Sequence, residues 1–78
     1  MPPRVKICVR LIGHFIRRFG FSEKDMEVPA GCTSADLVTL LGMDGLPMLV
    51  ARDGEGLRPA EKLRDGDRVV IAPMFSGG

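Results

Sequence analysis

The chain has 78 residues, a formal net charge of +1, and 45% hydrophobic against 27% charged side chains. A length like that makes one domain, which buries only about 60% of the surface its unfolded chain exposes, so the core is modest. The balance argues against a disordered segment or a strongly basic nucleic-acid binder, and no apolar run reaches the ~18 residues a membrane helix needs.

The start, Met1-Pro2-Pro3-Arg4, lacks the apolar core of a signal peptide, so the expected compartment is the cytoplasm. From Arg4 to Ile12 the pattern alternates: Val5, Ile7, Val9 and Leu11 point one way, Lys6, Cys8 and Arg10 the other. Period two with one apolar face predicts a half-buried strand. After Gly13, Phe15, Ile16 and Phe19 stand at helical spacing and Gly20 suits a helix end, which predicts a short helical turn, a continued hairpin being the competitor. Lys24 to Val28 alternates again, with Met26 and Val28 on one side, and Pro29-Ala30-Gly31 ends it.

Thr33-Ser34-Ala35-Asp36 reads as a helix start, a hydroxyl capping free amides and an acid favourably placed in the first turn. Leu37, Val38, Leu40 and Leu41 form its apolar stripe, and Gly42 its stop. Leu46 to Arg52 predicts a further strand, and Asp53-Gly54 a tight turn. Leu57 to Leu63 is a polar connection anchored by its two leucines. Asp65-Gly66-Asp67 then turns into a last strand, Arg68 to Ala72, with Val69 and Ile71 inward, and Pro73 discourages further pairing. Two hairpin-like strand pairs around one helix predict an α+β arrangement, a small mixed sheet with the helix across one face.

A few residues past that strand stand Ser76-Gly77-Gly78. Glycine has no Cβ, so Gly-Gly is the slimmest backbone a protein can offer to a narrow active site. What it carries there is the α-carboxylate of Gly78.

This order resembles the ubiquitin-like β-grasp sulfur carriers, the MoaD/ThiS family, over nearly the whole chain. The resemblance rests on the alternating first strand, the Thr33-to-Leu41 helix, the turn Leu63-Arg64-Asp65-Gly66-Asp67-Arg68-Val69, and the tail Phe75-Ser76-Gly77-Gly78. Within the family, the Phe15-to-Gly20 element and the Pro73-to-Gly78 tail look most like the small subunit of molybdopterin synthase. The resemblance implies a β-grasp domain over residues 1–78, with a four- to five-stranded mixed sheet, one main helix and a flexible tail over 73–78. It also implies that a ubiquitin-activating-type partner uses ATP to adenylate Gly78. A sulfur donor protein then replaces AMP and leaves a thiocarboxylate, which a synthase's large subunit consumes. On this reading the chain is a co-substrate, not an enzyme, and binds no cofactor or metal of its own. Thiamin synthesis, other sulfur pathways and isopeptide conjugation to lysines stay open, as does a plain binding module.

Gly77 and Gly78 are the expected reactive end, and Ser76 leads into them. Fully extended, Pro73 to Gly78 spans about 20 Å at ~3.3 Å per residue, enough to cross a partner's surface. Met74 and Phe75 are expected docking anchors, Phe75 folding back onto its own core being the alternative. Consecutive apolar residues at Met48-Leu49-Val50 must put at least one side chain outward, and Met48 and Leu49 are expected to join Phe75 in a partner-binding patch on the open sheet face. Arg4, Lys6, Arg10, Arg17 and Arg18 make the N-terminal third basic, either a solvated face or a partner-facing one. His14 is expected at the surface, and Cys8 as a half-exposed filler. Cys32 reads as an ordinary residue before the cap, or as a thiol activated by the helix start. One His and two scattered Cys make no zinc site.

Overall fold

The computed structural model describes residues 3–74. Its layering follows from the alternation in the first strand, β1 (Arg4–Leu11). Ile7, Val9 and Leu11 are buried on one face, while Lys6 and Arg10 stay exposed on the other. The chain then forms α1 (Phe15–Phe19), β2 (Glu23–Pro29), α2 (Ser34–Leu40), β3 (Met48–Arg52), β4 (Glu55–Gly56) and β5 (Arg68–Pro73). The sheet order is β2-β1-β5-β3-β4. Its two central strands, β1 and β5, run parallel, and every other pair is antiparallel, so the sheet is mixed as expected.

The first connection is the helical turn, not a continued hairpin. Residues 15–19 are helical, and β1 still pairs with β2 from Arg4↔Pro29 to Arg10↔Glu23. Phe15 is the reason: it is buried in the core and meets Phe19 edge-to-face at 5.6 Å, so the turn folds inward rather than extending the hairpin. Gly20 closes the turn, its N–H donating to the Ile16 carbonyl.

Helix α2 starts where the sequence places it. Thr33 Oγ1 accepts from the Asp36 N–H and Asp36 Oδ2 accepts from the Thr33 N–H, each at 3.1 Å, a complete capping box. The Ser34 and Ala35 amides find carbonyls of Glu61 and Pro59, so the 57–63 connection finishes the cap. At the other end the Gly42 N–H reaches Thr39 O and the Met43 N–H reaches Val38 O, a Schellman closure that draws Met43 into the core. Leu37, Val38 and Leu41 pack inward, but Leu40 is exposed. At 100° per residue it lies to one side of the direction shared by Ser34, Leu37 and Leu41, so the stripe is narrower than expected.

The core between α2 and the sheet joins Val9, Val28, Leu37, Leu63, Val69 and Ile71. Each such side chain contributes about 1.5–3 kcal/mol by full burial. Leu57 and Leu63 anchor the connection as anticipated. Two residues of strand, Glu55–Gly56, paired to Arg52 and Ala51, precede that connection. The turn between β3 and β4 takes positive φ at both Asp53 and Gly54, the geometry that suits a two-residue hairpin. β5 runs through Pro73, which pairs with Met48, and the Met74 N–H donates to Pro47 O. The sheet therefore takes in the first residue of the expected tail.

Candidate functional site

Phe75, Ser76, Gly77 and Gly78 lie outside the described residues. What is described is the root of the tail and the surface around it. Met74, the last described residue, is 56% exposed.

The face of the sheet away from α2 grades from charged to apolar. On its β2 side, the register pairs Lys6 with Glu27, Cys8 with Asp25, and Arg10 with Glu23. Toward β3, Val70 stands between Arg10 and Ala51, and Ala72 pairs with Leu49. Ile12 continues β1 beside Ala72, its N–H donating to Ile71 O. Leu49 is 54% exposed and Ile12 42%. Ile12, Ala72, Leu49 and Met74 thus gather at the corner where β5 gives way to the tail. Contiguous exposed apolar side chains of this kind mark interaction surfaces.

Of the two β3 residues expected in this patch, the structure places one there. Leu49 faces the open side. Met48 shares a face with buried Val50 and packs against the core, lining a groove with Val38 and Leu57. Period two forces the separation: neighbours in a strand cannot share a face. Ile12 belongs to the patch and was not singled out from the sequence. The signal was present, because Ile12 falls on the polar phase of the β1 alternation yet is apolar. Gly13, at φ +65°, lets α1 begin directly beside the tail root: a Cβ there would sit 3.4 Å from Pro73 Cγ.

At the opposite end of the sheet a polar cluster holds the chain. Arg52 Nη1 donates to Asp67 Oδ2 at 2.8 Å and to Lys62 O at 3.2 Å, and Glu61 stands 3.7 Å from Nη2. The same Asp67 oxygen accepts from the Arg64 N–H at 2.8 Å. The Asp67 hydrogen bond raises the Arg52 pKa above its ordinary value. The residues fix a loop, and Arg52, Glu61 and Arg64 also line a polar cleft whose walls hold no His, Cys, Ser or Thr to do chemistry.

The remaining candidates carry none either. His14 is exposed beside Phe15. Cys8 is half-buried, and burial, then Glu23 and Asp25, push its thiol up. Cys32 is buried, and burial followed by Asp36 raises it too, the opposite of activation by the helix start. Among the described residues no three His, Cys, Asp or Glu side chains come together as a metal site, and no helix is long and apolar enough to cross a membrane.

The ThiS family model matches residues 9–78, from the middle of β1 through Gly78. The chain belongs to the ThiS family. No curated protein sequence matches it. Among solved structures it is similar to a Pyrococcus furiosus protein described as molybdopterin converting factor, subunit 1, with TM-score 0.81 at 23% identity over 91% of this chain and 99% of that one. SAMP1 from Haloferax volcanii matches with TM-score 0.78 at 20% identity, over 94% and 99% of the two chains. A ubiquitin from Caldiarchaeum subterraneum gives 0.67 at 24%, over 97% and 100%. The fold of this ThiS-family chain is thus the ubiquitin-like β-grasp, with the five-stranded mixed sheet and crossing helix derived above.

Proposed function

We propose that this chain is a sulfur carrier whose reactive group is the α-carboxylate of Gly78. The observation that carries the reading is the family match running through Gly78 on a fold whose apolar corner surrounds the tail root. A free carboxylate is a poor acyl donor, since oxide would have to leave. Adenylation by an ATP-using partner makes a mixed anhydride with AMP as leaving group, and hydrosulfide released by a sulfur donor protein then displaces AMP and loses its proton to leave a thiocarboxylate. Thiolate-like sulfur is a strong nucleophile at neutral pH. Carriage on a protein raises its effective concentration in a partner's site and keeps it from free solution. Catalytic groups belong to the partners, and the chain serves as co-substrate in the cytoplasm, holding no cofactor; ATP is bound by the activating enzyme.

Molybdopterin synthesis is the favoured pathway, with a synthase large subunit as acceptor, given the likeness to the Pyrococcus furiosus protein. The apolar corner supplies docking area, Leu49 and Met74 with Ile12, and Phe75 extends it. Beyond Met74, four residues reach at most about 13 Å at ~3.3 Å each, so the partner's active site must open close to this corner.

Intact-mass measurement tests the reading. Co-expressed with its activating enzyme and a sulfur source, the chain gains the mass difference between sulfur and oxygen. Removal of Gly78 abolishes the gain, and Cys8→Ser and His14→Ala keep it. A chain that stays unshifted, or shifts equally without Gly78, ends the proposal. A second reading is conjugation to lysines, favoured by the likeness to SAMP1 and ubiquitin. Higher-mass covalent adducts in cell extract, lost with Gly78, distinguish it.

A further inference from the structure

The surface beside the tail root has a second component that the sheet face does not explain. Ile16 of α1 is 39% exposed and lines one shallow cleft with Arg10, Ile12 and Glu23. Exposed Arg17 and Arg18 follow Ile16 directly. Arg10, Arg17 and Arg18 form no ion pair among the described residues, although Glu23 is the register partner of Arg10. Three arginines beside two exposed isoleucines, in a chain of net charge only +1, concentrate positive charge where the tail begins. Gly13 against Pro73 fixes that proximity.

We propose that the Ile12–Ile16 cleft and the arginines around it form a docking element for the adenylating enzyme, which supplies an apolar side chain to the cleft and carboxylates to the arginines. The inference rests on the sulfur-carrier reading and adds a partner chemistry to it. Burying Ile12 and Ile16 removes apolar surface from water, while opposite charge at the rim raises the encounter rate more than the final affinity. A carrier that must leave one partner for the next is suited to that division. A nucleic acid fits the arginines but not the site. Phe15 is buried, and Phe19 and Phe21 are half-buried, so no open aromatic platform among the described residues offers stacking for bases.

The test is ATP–pyrophosphate exchange by the cognate adenylating enzyme, titrated with the full chain. Arg17→Glu is compared with Lys62→Glu, which makes the same charge change at the far end of the sheet, where Lys62 is exposed. Arg17→Glu lowers kcat/KM for the carrier about tenfold at low salt, in the range of electrostatic steering. The deficit shrinks as salt rises, kcat at saturation holds, and Lys62→Glu matches wild type. Ile16→Ser lowers kcat/KM with a deficit that salt does not relieve. Equal behaviour of Arg17→Glu and Lys62→Glu, or a loss confined to kcat, overturns the docking element alone. Wild-type chain that supports no exchange removes the carrier reading and this inference with it. Binding of a short RNA by wild type but not by Arg17→Glu also overturns it, since the arginines then serve a nucleic acid.

Discussion

The two ends of the sheet are fastened differently. Where β5 begins, side chains do the holding: Asp67 takes donors from Arg52 and Arg64, and Asp65 Oδ1 accepts from the Lys6 N–H at 2.8 Å. Main-chain bonds from Cys8 to Asp67 O and from Gly66 to Lys6 O reinforce them. Where β5 ends, the fastening among the described residues is main-chain only, Ile12 N–H to Ile71 O and Met74 N–H to Pro47 O, and the side chains there are apolar and exposed. The first end spends its polar groups on internal bonds and offers a partner little. The second leaves its surface unsatisfied. Stability and docking are thereby separated along one strand.

Asp67→Ala is the sharpest way to break this comparison. It removes the 2.8 Å partner of both the Arg52 guanidinium, which keeps only Lys62 O and the more distant Glu61, and the Arg64 amide. The loss exceeds the ~1 kcal/mol of a single hydrogen bond and appears as a lowered urea midpoint with unchanged slope. Sulfur loading per folded molecule stays at the wild-type level. Loading that falls while the midpoint holds means the two ends are coupled and the division is false.

Leu49→Thr acts on the other end. It puts a β-branched strand former in place of the leucine, moves stability by less than about 0.5 kcal/mol, and weakens sulfur delivery about tenfold, the ~1.4 kcal/mol of an interface anchor. Its neighbour serves as the control. Met48→Ala loses about 1–2 kcal/mol of stability, roughly half the cost of a fully buried Met, and leaves delivery alone. If Met48→Ala impairs delivery more than Leu49→Thr, the assignment of faces to function is reversed.

The elements were legible because their signals are local. Alternation in β1, the hydroxyl cap at the start of α2 and the Asp53-Gly54 turn each act within a few residues, and each forms as expected. What escaped was set by contacts distant in sequence. Arg52 and Asp67 are 15 residues apart and neither marks the other. The face taken by Met48 depends on which phase of β3 meets α2, and a run of apolar residues hides that phase. Ile16 is exposed because Phe15 and Phe19 already occupy the inward side of α1. The chemistry expected of Gly77 and Gly78 came from resemblance and main-chain slimness, and the patch beside them emerged only once β1, β3 and β5 were in register.

Gly13→Ala sharpens the comparison at the tail root. The residue sits at φ +65°, where a side chain is strained, with Pro73 Cγ 3.4 Å from the new methyl. The cost is about 1–2 kcal/mol of left-handed backbone strain. It falls at the junction of α1 and the tail root, so delivery of sulfur declines beyond what the stability loss accounts for. A stability loss without that extra decline shows that the root tolerates displacement.

The smallest expected effect concerns the thiols, which lie at neither fastening. Cys8 and Cys32 both hold their protons more tightly in the fold than in the open chain, chiefly through burial. A raised folded-state pKa gives stability that is complete below the ordinary thiol value of 9.0 and declines as pH rises past it toward the folded-state value. The difference in urea midpoint between wild type and the Cys8→Ala/Cys32→Ala chain is therefore flat from about pH 7 to 8.5 and shifts against wild type above pH 9. Iodoacetamide reports the same ordering by rate: both thiols react slowly, Cys8 on the open face before Cys32 beneath it. Faster modification of Cys32 means that the start of α2 activates its thiol after all, and a midpoint difference unchanged with pH means that burial does not govern either cysteine.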